Sequence, residues 1–499
     1  MLTRWRRIMG YRPGKKLLAI LAVLAAAALL LPLLRVALYS APWYDDYLYG
    51  YFTKSALEEE GTLRNLLIGL WFCIRTQWYC WQGTFSSMAL MCMIPMVWGE
   101  QYYFLGPVIL LFLLVLSVYL LMGVLLRDLL KAEKWSAVPI QITVTVMAFE
   151  LIYNLNCGIY WYNAGIHYIG MHAFMLLLLA GWIKLIRCNG RVTGGLLLIW
   201  SVLGAVLASG SNFVTALQGF LVGGSILVLG ALLKDRRVLL LLPSLGVYCV
   251  GMYFNLAAPG NQVRRLQHTA CGLGMDPMPA ILRSFQEAVR FAWTFSGWIT
   301  LLFLVLLIPL IWVLLRDVKL RFRFPGLFLA WSFCLYATGF TPSLYGMGSP
   351  GLGRTLNAVK LTFQILLVLN EIYFCGWLKE KLARKERKLD QGAAWWFYPV
   401  LGGLMLLAFT LEPNQSANYS TFAAYYYVHT GEAYNFHQEY LQRVQKIKEG
   451  GDDVTVEPYY FKPWILMGSE LSDDPASEEN MAIAKWYHKA SVTCKKSQE

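Results

Sequence analysis

The chain has 499 residues, 57% of them hydrophobic and only 15% charged, where a soluble globular protein carries about a quarter. Its formal charge is +13 and its mean hydropathy +0.48. Apolar stretches of about 20 residues, each long enough to cross a bilayer as a helix, recur along it and exclude a soluble enzyme, a disordered scaffold and a nucleic-acid-binding domain.

The composition predicts an all-α polytopic membrane protein. Most Lys and Arg stand in short clusters between apolar segments, the pattern of cytoplasmic loops, so the charge implies a lipid bilayer and no nucleic acid. Ten cysteines lie scattered without CxxC or Cys/His ligand spacing, and neither a zinc site nor a disulfide framework is expected.

In chain order, Arg4, Arg6, Arg7, Lys15 and Lys16 precede an apolar run from Leu17 to about Tyr39, too long for a cleaved signal segment. It reads as a first span, about 17–40, with its basic end inside. The first outer loop, 41–100, carries an aromatic-rich stretch from Arg64 to Trp98 that reads as juxtamembrane helices in the outer interface. Further spans are expected at about 103–126, 137–155, 170–186, 194–209, 213–232, 238–257, 292–315, 325–341, 356–376 and 393–411. Each inner loop then carries at least three basic residues, such as Lys184, Arg187 and Arg191, or Lys234, Arg236 and Arg237. The result is about eleven spans, N-in and C-out. Residues 1–411 form the membrane domain, and 412–499 a polar extracytoplasmic appendage. Asn414 and Asn418 match the N-glycosylation pattern, a match short enough to arise by chance.

With that topology the unusual polar residues collect on the outer side. Asp45-Asp46 follows the first span among aromatics; two adjacent carboxylates there are costly to desolvate unless they bind a cation or take a proton. Such a pair could serve as general base toward a hydroxyl or hold a divalent metal; the same spacing serves a solvated acidic turn that caps the next helix. Trp78, Trp81 and Gln82 open a second element, Gln82-Gly-Thr-Phe, and Tyr160, Trp161, Tyr162, Asn163 and His167 a third. Aromatic faces with amides suit a sugar ring, and they equally suit an interfacial belt. Asn261, Arg264 and Arg265 follow the span at 238–257, and Arg354 precedes the span at 356–376. Outer arginines run against the positive-inside bias and suit phosphate as forks, or snorkel to headgroups. Glu150 and Lys360 fall within spans, where a mutual salt bridge or snorkelling competes with a direct role. His167 and His172 have no partner His at ligand spacing.

An acidic pair directly after the first span resembles the hallmark of the GT-C superfamily of membrane glycosyltransferases. The chain is similar throughout its first ten spans to an uncharacterised bacterial polytopic group of that superfamily. The matching pieces are Asp45-Asp46-Tyr47, Trp81-Gln-Gly-Thr-Phe, Tyr160-Trp161, Ala258-Pro-Gly-Asn-Gln-Val-Arg264 and Gly353-Arg354-Thr355; Thr84 stands where those proteins carry Arg. The resemblance implies a multi-pass enzyme of the bacterial plasma membrane that takes a sugar from a polyprenyl-phosphate donor to a cell-envelope acceptor such as a glycan. It implies Asp45 or Asp46 as the base, Arg264, Arg265 and Arg354 at the donor phosphate, and the aromatic and amide residues at sugar and acceptor. Mg or Mn would suit the carboxylates if a metal assists. Two other classes stay open: a lipid-linked oligosaccharide polymerase or ligase, leaning on Arg264, Arg265 and His268, and a lipid or polysaccharide transporter or flippase.

Overall fold

The computed structural model describes residues 14–316, 318–383 and 419–495. The span expected at 393–411, the basic Arg4, Arg6 and Arg7, and Asn414 and Asn418 lie outside the described residues.

The chain is an all-α polytopic membrane protein. Among the described residues eight helices are long and apolar enough to cross a membrane: 15–37, 100–129, 162–187, 191–209, 213–232, 236–256, 325–347 and 353–382. We number the helices α1 (Lys15–Ala37), α2 (Tyr44–Glu59), α3 (Leu63–Cys80), α4 (Phe85–Cys92), α5 (Leu105–Gly123), α6 (Lys134–Glu150), α7 (Tyr162–Arg187), α8 (Arg191–Ser209), α9 (Phe213–Leu232), α10 (Leu242–Leu256), α11 (Pro259–Ala270), α12 (Pro277–Phe295), α13 (Trp298–Leu314), α14 (Pro325–Ala337), α15 (Thr341–Met347) and α16 (Gly353–Ala383).

Two sequence expectations are corrected. The span expected at 137–155 is the 17-residue α6, at the short end of crossing length, running from Glu133 beside Lys15 to Glu150 beside the docked Thr421. The segment 156–168, expected as a loop, is mostly helical and buried, because Tyr160, Tyr162 and Asn163 each find partners inside the bundle. The span expected at 292–315 is α13 alone; the chain arrives through α12 and turns by 79° at the break between them. Taken as one, the pair is a ninth span, and the span expected at 393–411 lies outside the described residues.

Packing follows membrane rules. Leu17, Ile20, Leu24, Leu196, Leu203 and Leu232 face outward, where lipid solvates them. Inside, small residues let helices approach: a Cβ at Gly219 would meet the Tyr248 hydroxyl at 2.5 Å, and one at Gly223 the Trp182 ring at 3.0 Å. Polar groups cross-link the helices. His172 lies between Thr215 (3.2 Å) and Thr362 (3.1 Å), whose hydroxyl donates to Gln218 at 2.8 Å, so His172 belongs to a network joining α7, α9 and α16.

The helix ends sort into two faces. At one face Lys15 meets Glu133, Arg237 meets Asn189, and Lys379 donates to the Leu315 carbonyl. At the other, the end of α1, the start of α2, the first turns of α7 and α16 and the ends of α8 and α10 converge. The loops that the charge pattern placed on one side thus do share a face.

Residues 419–495 dock on the second face. They comprise α17 (Ser420–His429), α18 (Glu432–Glu449), β1 (Asp453–Val456), α19 (Glu478–Trp486) and β2 (Ser491–Cys494). The strands pair in parallel, Asp453 opposite Ser491 through Val456 opposite Cys494. Buried Phe436, Ile465, Leu466 and Trp486 seal the contact with α2, and Trp43 donates its indole N–H to the Leu466 carbonyl at 2.8 Å. Glu150 accepts from the Thr421 backbone N–H (3.2 Å) and hydroxyl (2.5 Å), so its partner is this unit and not Lys360.

Candidate functional site

The two aspartates, adjacent in sequence, have opposite fates. Both fall in the first turn of α2, where a helix favours negative charge. Asp46 turns inward and is fully buried. Its carboxylate accepts the Trp43 N–H (2.9 Å), the Tyr103 hydroxyl (2.7 Å) and the Asn163 N–H (3.0 Å), so it ties α2 to the entry of α5 and the start of α7. Burial pushes its pKa up to about 7, against the pull of those three bonds. Asp46 has no solvent contact and its carboxylate is held by three buried donors, so the base and metal roles expected of it are corrected to a structural one.

Asp45 points the other way, with its side chain 17% exposed and Arg354 Nη1 3.4 Å from its carboxylate. Asn163 fixes its backbone by donating to the Asp45 carbonyl at 2.6 Å. Burial raises its pKa, Arg354 opposes the rise, and Glu479 and Glu478 of the docked unit add to it. The Tyr44 hydroxyl donates to Glu478 at 2.7 Å, which holds that acid near the site.

Arg354 enters from the first turn of α16, with Trp161 5.6 Å from its guanidinium. Arg264 comes from α11. It donates to Gln82 at 2.8 Å and lies over the Trp81 ring at 4.8 Å, and burial and the charge of Arg354 both lower its pKa. The two guanidinium groups therefore share one region, with Tyr168 and Tyr49 close enough to act on Arg264. His167, bonded to Ser87 at 2.9 Å, feels both arginines.

What brings Arg264 here is an interlock of two turns. Gly83 N–H donates to Asn261 Oδ1 at 3.2 Å, and Asn261 donates to the Asn255 carbonyl at 2.7 Å. A Cβ on Gly83 would overlap the Asn255 carbonyl, and one on Gly260 would come 2.5 Å from the Trp81 nitrogen. Each glycine admits the other's backbone. Gly83→Ala is expected to destabilise by about 1–3 kcal/mol, since the collision is with main chain that must shift; a lowered thermal midpoint for the purified protein checks it.

Of the expected site residues, Asp45, Arg264, Arg354, Trp81, Gln82, Trp161 and His167 are brought together. Others serve the scaffold. Tyr160 donates to the Leu33 carbonyl at 3.0 Å, Tyr162 to the Leu90 carbonyl at 3.0 Å, and Trp78 to the Phe254 carbonyl at 3.2 Å. Asn261 is the clamp just described, and Asn163 holds both aspartates. Arg265 meets the Tyr345 hydroxyl (2.6 Å) and His268 the Gly346 carbonyl (2.8 Å), joining α11 to α15. Sequence reading missed Tyr103 and the Glu478–Glu479 pair; Ser87 and Tyr168 carried a signal, from the motifs after Gln82 and around His167. The residues do not fit Mg or Mn. Asp46 is spent, Asp45 faces a guanidinium, and no group of three or more His, Cys, Asp or Glu suited to a metal occurs among the described residues.

No family model, no curated protein and no solved structure matches the chain.

Proposed function

We propose that this protein is a GT-C-type membrane glycosyltransferase. It moves a sugar from a polyprenyl-phosphate donor to a hydroxyl of a cell-envelope acceptor at the face opposite the basic loops, taken as extracytoplasmic. The observation that supports this reading is the Asp45–Arg354 pair at 3.4 Å, with Arg264 beside it and Trp81 and Trp161 flanking it.

In this mechanism Asp45 takes the acceptor's hydroxyl proton as the oxygen forms its bond to the anomeric carbon. The bond from that carbon to phosphate oxygen breaks, and the electron pair leaves on polyprenyl phosphate, with inversion. Arg354 and Arg264 hold the departing phosphate, whose charge grows in the transition state. Arg354 also favours the ionised form of Asp45 against the burial that raises its pKa.

The test is release of polyprenyl phosphate from a sugar-loaded donor by the protein in proteoliposomes, with mass spectrometry of envelope glycans from a deletion strain. Unchanged glycans together with no donor cleavage would sink the reading. Arg264→Lys should raise the apparent KM for donor about tenfold with kcat less affected, because a point charge replaces a fork stacked on Trp81.

The polymerase or ligase reading loses support because Arg265 and His268 are engaged with α15. One observation favours a transporter or flippase as the second reading, the 79° break between α12 and α13, since broken helices line transport sites. Such a protein would move the lipid without cleaving it, and the same assay separates the two.

A further inference from the structure

A second feature lies apart from Asp45. Where α12 breaks and α13 begins, a cleft of about 470 Å³ opens between α6, α16 and the docked unit. Its lining includes Tyr153, Asn154, Phe295, Thr300, Lys360 and Trp464. Lys360 is its cation. Among the described residues no carboxylate or hydrogen-bond acceptor meets its ammonium, which lies 5.7 Å from the Phe295 ring centroid. The acid expected to pair with it, Glu150, is occupied by Thr421. A charged group in a membrane-spanning helix without a counter-charge is costly, and one that faces a cavity marks a functional site by default.

Two further observations give the ligand its chemistry. The opening turn of α13, through Gly297, Ile299 and Thr300, lines the same cleft, and a helix's first turn presents N–H groups and positive potential. Lysine and helix start together suit a phosphate. Around the cleft stand apolar groups open to the surroundings: Tyr153 and Trp464, each 40% exposed, Leu301 at 51% and Trp293 at 87%. Exposed aromatics beside aliphatic surface mark the interface between headgroups and acyl chains. Lys360 lies six residues beyond Arg354 on α16, about 9 Å along the axis.

We infer that the cleft between the α12–α13 break and Lys360 binds the phosphate headgroup of an anionic lipid, entering from the bilayer. Because the docked unit contributes Trp464 and Tyr419 to the lining, the bound lipid also bridges that unit to the helices. The inference does not depend on the transferase reading.

The experiment uses the full chain in nanodiscs of phosphatidylcholine, with and without phosphatidylglycerol. In the wild type, phosphatidylglycerol should shield Lys360 from an amine-reactive label read by peptide mass spectrometry, and should raise the thermal midpoint. Inorganic phosphate should do neither. Lys360→Met, close in length and apolar, should weaken phosphatidylglycerol binding about tenfold, and Lys360→Arg should keep it. Asp45→Asn should bind the lipid as the wild type does, whether or not it transfers sugar. Equal labelling of Lys360 in both lipids overturns the site, and this measurement needs no variant to fold. Wild-type lipid affinity in Lys360→Met overturns it too. Protection by inorganic phosphate as strong as by phosphatidylglycerol overturns the lipid assignment in favour of a free anion.

Discussion

Asp45→Asn should lower sugar transfer by about 10²- to 10⁴-fold, the range a positioned general base contributes, while leaving the thermal midpoint nearly unchanged. The asymmetry follows from the surroundings of Asp45. Among the described residues its carboxylate has one hydrogen-bond partner, Arg354 at 3.4 Å, with both side chains partly open to solvent, so pairing adds little to stability. Its backbone carbonyl, held by Asn163, is untouched by the substitution. Arg354→Gln should depress transfer through the donor phosphate and through Asp45, so the double variant should lose less than the sum of the two single losses. Wild-type transfer by Asp45→Asn would remove the base role, and a large drop in its thermal midpoint would recast Asp45 as structural.

Asp46→Ala should instead cost folding. Truncation leaves the Trp43 N–H, the Tyr103 hydroxyl and the Asn163 N–H buried without their acceptor, and an unpaired buried donor costs about 1–3 kcal/mol. A loss of 3 kcal/mol or more by this reckoning should appear as poor yield and a thermal midpoint lowered by many degrees. Asp46→Asn should fall between the two, because either orientation of the amide sets its NH₂ against one of the two backbone N–H donors.

The same carboxyl gives a signed pH effect. Its folded pKa is raised to about 7 from an ordinary value of 3.8, so between those limits the folded state binds more proton than the unfolded. This group's contribution to stability is therefore present at low pH, falls as pH rises through that window, and levels off above about 7. The fold can accommodate the proton. Tyr103 lies 2.7 Å from Asp46 and 3.1 Å from the Tyr160 carbonyl, so a protonated Asp46 can donate to Tyr103 while Tyr103 donates to Tyr160. Thermal midpoints between pH 5 and 8 should decline in the wild type and flatten in Asp46→Asn; equal slopes in both would contradict this account.

Much of the architecture was legible in the residues alone. Spans at 194–209, 213–232 and 238–257 were expected within a few residues of the observed helices, because an apolar run of bilayer length between basic clusters has one stable solution in lipid. The fold departed from expectation where polar and aromatic residues mix. Tyr160, Tyr162 and Asn163 read as a loop, yet each finds a partner within the bundle, and hydropathy has no means of foreseeing partners 72, 117 and 127 residues away. The docked C-terminal unit shows the same limit: polar by composition, it buries Trp486 and Ile465 against α2 and places Glu478 beside Tyr44.

At the site, residue types and helix ends alone marked Asp45, Arg264 and Arg354 as unusual, since charges on the face that lacks basic loops stand out against the bias of the rest. They could not tell Asp45 from Asp46. Successive residues of a helix point about 100° apart, so one carboxylate meets solvent and a guanidinium while its neighbour is sealed among three donors. Nor could they separate Arg264 from Arg265, one turned toward Gln82 and Trp81 and the other toward Tyr345. Hydropathy and charge determine which segments cross and which ends share a face, because those depend on local transfer free energies. Which side chain of an adjacent pair faces the site depends on the packing of distant helices, and only the folded chain decides that.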